Sequence, residues 1–407
     1  MNKKLTRLGQ LSATLCAAAA LAACGGGGGN GGSPNPTPAM GSVKVSLTDA
    51  PACGFDAVNV TVAKVRVHQS ASAADTDGGW TDITLNPARK INLLALTNGS
   101  LDALGTAPLA AGHYTQVRLV LDANAANNMA NSVVPTGGVE QNLDTPSAVQ
   151  SGLKLTGQFD VLAGQQVDLV IDFDACKSVL TKGNGKYALK PVIKLIPAVL
   201  NGIGGVISPA LLSKHVMISA QQNGVVIAAT APNAMTGDFL LSRLVPGNYD
   251  VVVTADDSSA SVIGAVPVAS STSTTALSTA AAPLTLTTSL SGSIGGAVVL
   301  APVSATEAAY VAAKQTFAAG PTVTIKYAGA DLLSGVYTIA QLPLNAPNYA
   351  AYSATLPLVF ASGSTISPGL GKYRVDASAN GYALQTYATP VDISVFNATN
   401  INFTLIP

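Results

Sequence analysis

Apolar and polar residues alternate along most of this chain with a period of two. Val43-Lys44-Val45-Ser46-Leu47 has the pattern of a half-buried strand, ended by Thr48-Asp49-Ala50-Pro51. Val58, Val60 and Val62 alternate too, but Val65 and Val67 fall on the opposite phase, so a bulge near Ala63-Lys64 is needed to keep all five on one face. Further strands are predicted at 117–121, 154–159, 167–173 and 192–195, while 91–96 fits a strand or a short helix. Val216 to Ala220 is a strand, Asn223-Gly224 a hairpin turn, and Val225-Val226-Ile227 the return. Tyr249, Val251 and Val253 then share one face, with Asp250, Val252 and Thr254 on the other. The Ser/Thr/Ala stretch 269–282 reads as linker or closing strand. One segment departs from period two. Ser304 and Glu307 make a capping box, Tyr310, Val311, Lys314 and Phe317 follow at helical spacing, and Gly320-Pro321 stops them, which predicts a helix over 304–319.

These elements predict an all-β fold of tandem antiparallel β-sandwich domains, of the immunoglobulin or prealbumin type, with one short helical insert. The expected domains are 41–200, 201–282 and 283–407. The third loosely repeats the second: Gly292-Ser293-Ile294-Gly295-Gly296 parallels the Gly204-Gly205 start, and Gly371-Lys372-Tyr373 parallels Gly247-Asn248-Tyr249. Gly112-His113-Tyr114 has the same form, but Tyr114 is out of phase with Val117 and Leu119, so the parallel is not extended to the first domain.

The N-terminal residues add an address. Lys3, Lys4 and Arg7 precede an apolar run from Leu11 to Ala23, closed by Leu21-Ala22-Ala23-Cys24. That is the layout of a bacterial lipoprotein signal peptide over 1–23, with Cys24 as the acceptor of fatty chains such as palmitate. Residues 24–40, rich in Gly and Pro, are a tether. Gly25 after Cys24, where an Asp would retain the protein at the inner membrane, predicts outer-membrane delivery, facing the periplasm or the surface.

Composition narrows the function classes. Removing residues 1–23 leaves 18 basic against 21 acidic residues, a net charge of −3, which argues against nucleic acid as a partner. Of the acidic residues only Glu140 and Glu307 are glutamates, and the scarcity of Glu, Lys and Arg fits strands and turns better than exposed helices. Once Cys16 and Cys24 are assigned to the signal and the anchor, Cys53 and Cys176 remain. Their pairing would link positions 123 steps apart along the chain, worth roughly 5 kcal/mol in the chain-entropy model; two separate buried thiols are the alternative.

Several stretches of the first domain carry a resemblance: Leu47 to Pro51, Val60-Thr61-Val62 with Val65 to His68, Gly79-Trp80, Leu93 to Gly99, Ala111 to Leu119, and Asp172 to Cys176. Together they resemble the bacterial lipoprotein family catalogued as domain of unknown function 4382, which implies placement and fold but no reaction. The second domain is similar to carboxypeptidase regulatory-like domains, small prealbumin-type sandwiches, at Gly205-Val206, Gly237-Asp238-Phe239 and Leu244 to Tyr249. Such modules act as spacers or interaction domains. The third domain is similar only at its ends.

Candidate chemistry is sparse. His68, His113 and His215 show no metal-binding spacing. Ser151-Gly152-Leu153-Lys154 matches Ser-x-x-Lys, the basis for a hydrolase reading with Ser151 as nucleophile and Lys154 as its activator, but its companion motifs are missing. Asp168, Asp172 and Asp174 alternate on one strand face, and Asp75-Thr76-Asp77-Gly78 is a fragment of a calcium-loop pattern; solvated carboxylates or a calcium ion would satisfy either. Trp80 is the single tryptophan available as a glycan platform. The expected role is a non-catalytic, lipid-anchored envelope protein without a cofactor, presenting its modules for binding, assembly or spacing to an envelope protein or glycan. A carbohydrate- or calcium-binding surface module is the alternative.

Overall fold

The computed structural model describes residues 39–407 except 51–53, 98, 127, 156, 184, 191, 198–200 and 362–364. Strands dominate. Among the described residues helix is confined to Pro146–Gln150 and Ala175–Ser178, with 3-10 turns at Leu93–Leu96 and Pro209–Leu211. Among the described residues no helix is long and apolar enough to cross a membrane.

The first unit is a sandwich of two larger sheets, with a two-stranded pair of Gly112–Tyr114 and Phe159–Val161 beside them. Met40–Ala50 pairs antiparallel with Asp102–Ala110 and parallel with Gln166–Asp174, and Ile193–Pro197 completes the four-stranded layer. The parallel pair departs from the purely antiparallel expectation. The other sheet centres on Phe55–His68, whose register shifts between Val62 and Lys64, so the predicted bulge is present. Because of it Val58, Val60, Val62, Val65 and Val67 are all fully buried in one core. The 154–159 stretch is split into Leu153–Leu155 and Phe159–Val161, which join different partners. At 91–96 the chain leaves its strand through a 3-10 turn, where Leu94 N donates to Asn92 Oδ1 at 3.2 Å.

In the second unit Gly202–Val206 pairs with Asp238–Ser242 and, in parallel, with Thr274–Ala276, so 269–282 contains a closing strand. The facing sheet runs Val225–Thr230, Met217–Gln222, Gly247–Thr254, Ser261–Val268. Asn223 and Gly224 both have positive φ, 52° and 71°, as the predicted two-residue hairpin turn requires. Tyr249 closes a corner by donating its hydroxyl to Val245 O at 2.7 Å. Tyr114 does the same to Ala110 O at 3.0 Å, also two residues after a glycine. The first and second units therefore share this corner, although the phase of Tyr114 argues against it in the sequence.

The third unit contains the main correction. Residues 304–319 do not form a helix: Tyr310–Phe317 is a strand between Thr322–Gly329 and Lys372–Ser378. The cap itself forms, with Ser304 Oγ accepting from Glu307 N at 3.0 Å, but it opens a turn into the strand. A helix would have placed Lys314 on its apolar stripe. The strand instead directs Val311, Ala313 and Phe317 into the core, at period two.

The second and third units are interlocked. Asn348–Ala351, a segment that follows the third unit's first strands, pairs in parallel with Ser261–Val268 of the second. Tyr352, Leu358 and Phe360 pack on the second unit's core, while Val252, Ala260 and Val262 of the second unit are built into the third unit's core. The face of Gly247–Thr254 that carries Val252 is thus covered as well.

Candidate functional site

The sequence-derived candidates are scattered. Cys24 and Cys53, and the side chain of Cys176, lie outside the described residues, so the lipid acceptor and the Cys53–Cys176 pairing are not described. Ser151 follows the Pro146–Gln150 helix, and its carbonyl accepts from Arg118 Nη1 at 2.8 Å. Lys154 is exposed on Leu153–Leu155, in register with Arg118, and no hydrogen bond joins it to Ser151. The Ser-x-x-Lys pair is not assembled as a nucleophile and its base.

The three aspartates share a strand but divide their work. Asp168 accepts from Gln166 Nε2 at 2.6 Å on the exposed end. Asp174 caps the short Ala175–Ser178 helix, accepting from Lys177 N at 3.1 Å, and pairs with Lys177 Nζ at 2.9 Å. Asp172 faces a cavity. Among the described residues no group of three or more His, Cys, Asp or Glu side chains could hold a metal ion. In the 70–79 loop, Asp77 accepts from Ala74 N at 2.8 Å and the Asp75 carbonyl from Arg66 Nη1 at 2.9 Å, so this fragment is closed by its own chain.

Trp80 is engaged rather than open. The guanidinium carbons of Arg66 and Arg118 lie 4.7 and 4.8 Å from its ring centroid, the His68 ring lies at 5.0 Å, and Nε1 donates to Ala74 O at 2.8 Å. Two cations already use its π-system, which leaves a poor platform for a sugar face. Arg66 and Arg118 sit opposite one another on neighbouring strands. That pairing was not visible before the register was known. His113 bonds Asp160 at 2.8 Å and Gln158 at 3.1 Å; the Asp160 bond, more than the Gln158 bond, raises its pKa.

The contacts between units are the dense polar features. Gln221 of the second unit is fully buried and forks onto the third: its Nε2 donates to Thr324 O, and Thr324 N donates to its Oε1, both at 2.8 Å. Thr324 Oγ1 returns a bond to Gly224 O at 2.7 Å. The first unit meets the third where Gly183 N donates to Asp331 Oδ2 at 2.9 Å and Leu332 N to Thr181 O at 3.0 Å. Lys190 with Glu307, and the Tyr310 hydroxyl with the Lys177 carbonyl, close the same seam. Burial acts to raise the Asp331 carboxyl, but donors from Ser334, Thr181 and Gly183 outweigh it and hold the group at about 2.

A cavity of about 150 Å³ lies between the first and second units. Thr48, Asp172, Asp174, Lys177, Lys194 and Arg243 supply its polar lining. Burial, reinforced by the Asp174 charge, pushes Asp172 up to about 6 against the opposing pull of Lys194, Arg243 and Lys177. Sequence reasoning singled out Asp172 but missed Arg243, which nothing in the local pattern marks.

Fold and contacts define an all-β protein whose described residues gather around three hydrophobic cores that brace one another. Within it, residues 40–191 match the family model described as Domain of unknown function (DUF4382). No curated protein matches the chain. Among solved structures, the Bacillus anthracis TIE protein aligns at 12% identity and a TM-score of 0.17, over 90% of this chain and 50% of that one. The chain thus spans half the length of that protein. BcpA, the major pilin subunit of Bacillus cereus, aligns at 12% identity and 0.16 over 90% and 99% of the two chains. The Corynebacterium diphtheriae major pilin SpaA gives 12% and 0.18 over 90% and 100%.

Proposed function

We propose that this chain is a lipid-anchored, non-catalytic protein of the bacterial cell envelope, delivered to the outer membrane, which presents three braced β-sandwich units for binding or assembly. The observation that carries the presenting role is the interlock. The second and third units share a sheet through Asn348–Ala351, and each buries residues of the other, so they are offered as one surface. The anchor rests on Leu21-Ala22-Ala23-Cys24 and the glycine-rich tether after it. A partner would meet strands and turns of low charge, in keeping with an envelope protein or glycan and not with nucleic acid.

Fractionation of cells expressing wild type and Cys24→Ser tests the anchor: the substitution releases the protein from membranes, and an unchanged membrane fraction overturns the proposal. In-cell crosslinking of the intact protein tests the presenting role. A reproducible envelope partner is the expected result; the absence of any crosslink under conditions that capture other outer-membrane lipoproteins speaks against it.

A further inference from the structure

Arg243 occupies an unusual position for an arginine. It is 9% exposed, its φ is +58°, and its Nε has no hydrogen-bond partner. Nη1 donates to Ser242 Oγ at 3.0 Å, and Nη2 reaches Gly99 O only at 3.5 Å. A buried guanidinium with an unpaired N–H in a left-handed backbone is unfavourable on both counts. The ordinary remedy is a carboxylate, and one lines the same cavity. Yet Asp172 makes no hydrogen bond or ion pair among the described residues. Two opposite charges therefore face one cavity, otherwise lined largely by apolar side chains, without closing on each other.

The remaining lining sets the sign and the size. Asp174 and Lys177 neutralise one another at 2.9 Å. Lys194, in register with Asp172 on the neighbouring strand, adds a cation with no ion pair of its own among the described residues. Arg243 and Lys194 against Asp172 leave one net positive charge. The volume corresponds to roughly five waters, which suits a group of a few heavy atoms and excludes an oligosaccharide. A ligand that satisfies every orphan must offer anionic oxygens to Arg243 Nε and Lys194, and a proton donor to the Asp172 carboxylate.

We propose that the cavity between the first and second units binds a small oxyanion carrying its own hydroxyl, with Arg243 as anchor and Asp172 as acceptor of the ligand's proton. Monohydrogen phosphate and a short hydroxycarboxylate share that chemistry, whereas sulfate and acetate lack the donor at neutral pH. This inference is independent of lipid anchoring and of any macromolecular partner.

Calorimetric titration of the full chain near neutral pH with phosphate, lactate, sulfate and acetate tests it. Phosphate or lactate is expected to saturate, and to bind about ten-fold more tightly than the donor-less anion of the same shape, the worth of one charged hydrogen bond. Whichever of the two saturates identifies the source. Asp172→Asn replaces the acceptor by an amide that can donate, and is expected to abolish or reverse that preference while leaving the protein folded. Arg243→Gln is expected to weaken every anion by about ten-fold or more. Absence of saturation by all four at about 10 mM overturns the proposal, since that is weaker than a built site gives. An unchanged anion order in Asp172→Asn also overturns it, and that variant decides the matter if Arg243→Gln does not fold.

Discussion

Replacing Gln221 by leucine removes a side chain that behaves as a borrowed peptide group. Its amide meets the backbone of Thr324 with one donor and one acceptor, both at 2.8 Å, as a neighbouring strand would. The residue is fully buried, so no water replaces the lost partners. Leucine has similar volume and leaves Thr324 N and O orphaned in the seam. Each of the two buried orphans costs about 1–3 kcal/mol, and the apolar gain of leucine returns about 1 kcal/mol, so the net loss is about 1–5 kcal/mol. Urea unfolding followed by fluorescence and circular dichroism should show the midpoint fall by the corresponding amount, at unchanged slope if the units still unfold together. Thr324→Val, which removes only the bond to Gly224 O, should cost about 1 kcal/mol, and the double variant should cost less than the sum because the two share one network. A loss below about 0.5 kcal/mol in Gln221→Leu would mean that the seam relaxes or hydrates, and the borrowed-peptide reasoning would fail.

Other expectations follow from equally local geometry. Gly237→Ala and Gly335→Ala would each press a methyl group into a carbonyl oxygen, of Ile207 and Val298 respectively, at φ of +76° and +69°; thermal unfolding should show each losing about 2–4 kcal/mol. Tyr114→Phe and Tyr249→Phe should cost about 1 kcal/mol apiece in denaturant titrations, because each deletes a single hydroxyl-to-carbonyl bond. The Asp172 carboxyl titrates at about 6 when folded against 3.8 in the ordinary case, so the folded state keeps a proton the unfolded chain has lost. Stability should therefore fall as pH rises from about 4 to 6, by up to about 3 kcal/mol and less where cavity water screens the charge; Asp172→Asn should flatten that slope in a pH series of unfolding curves. Asp331→Asn keeps the acceptor for its own turn but presents an amide donor to Gly183 N–H. Hydrogen exchange at Gly183 should quicken while that at Ser334 stays protected, and equal protection at both would refute the assignment.

The features legible in the sequence were those set by neighbours along the chain. Alternation located the buried valines of Phe55–His68 and even its bulge, because a change of phase within one strand has few other remedies. Asn223-Gly224 announced its turn because both residues accept positive φ. The helix at 304–319 misled because a genuine cap was followed by residues satisfying both periods; the flanking strands, far away in sequence, decided for period two. The same distance hid the candidate site. Arg243 meets Gly99 across 144 residues, and Gly183 meets Asp331 across 148, so no local pattern could bring them together.

One repeat shows how a local device was extended into a contact between units. In the second unit Asn233 opens a turn in which Gly237 N bonds Asn233 O, Asn233 N bonds Asp238 O, and Ile207 N bonds Gly237 O. The third unit has the same three bonds at Asp331, Gly335, Val336 and Val298. In both, the side-chain oxygen of the opening residue accepts from the second and third N–H groups that follow. An amide has one such oxygen and exhausts it on the turn. A carboxylate has two, and Asp331 gives its second to Gly183 of the first unit. The turn alone would accept Asn or Asp equally, so the carboxylate at 331 is explained by the seam and not by the turn. The four-residue spacing from Asn233 to Gly237 and from Asp331 to Gly335 is visible in the sequence as a shared start for two strands; the function of the extra oxygen is visible only once the first unit is in place.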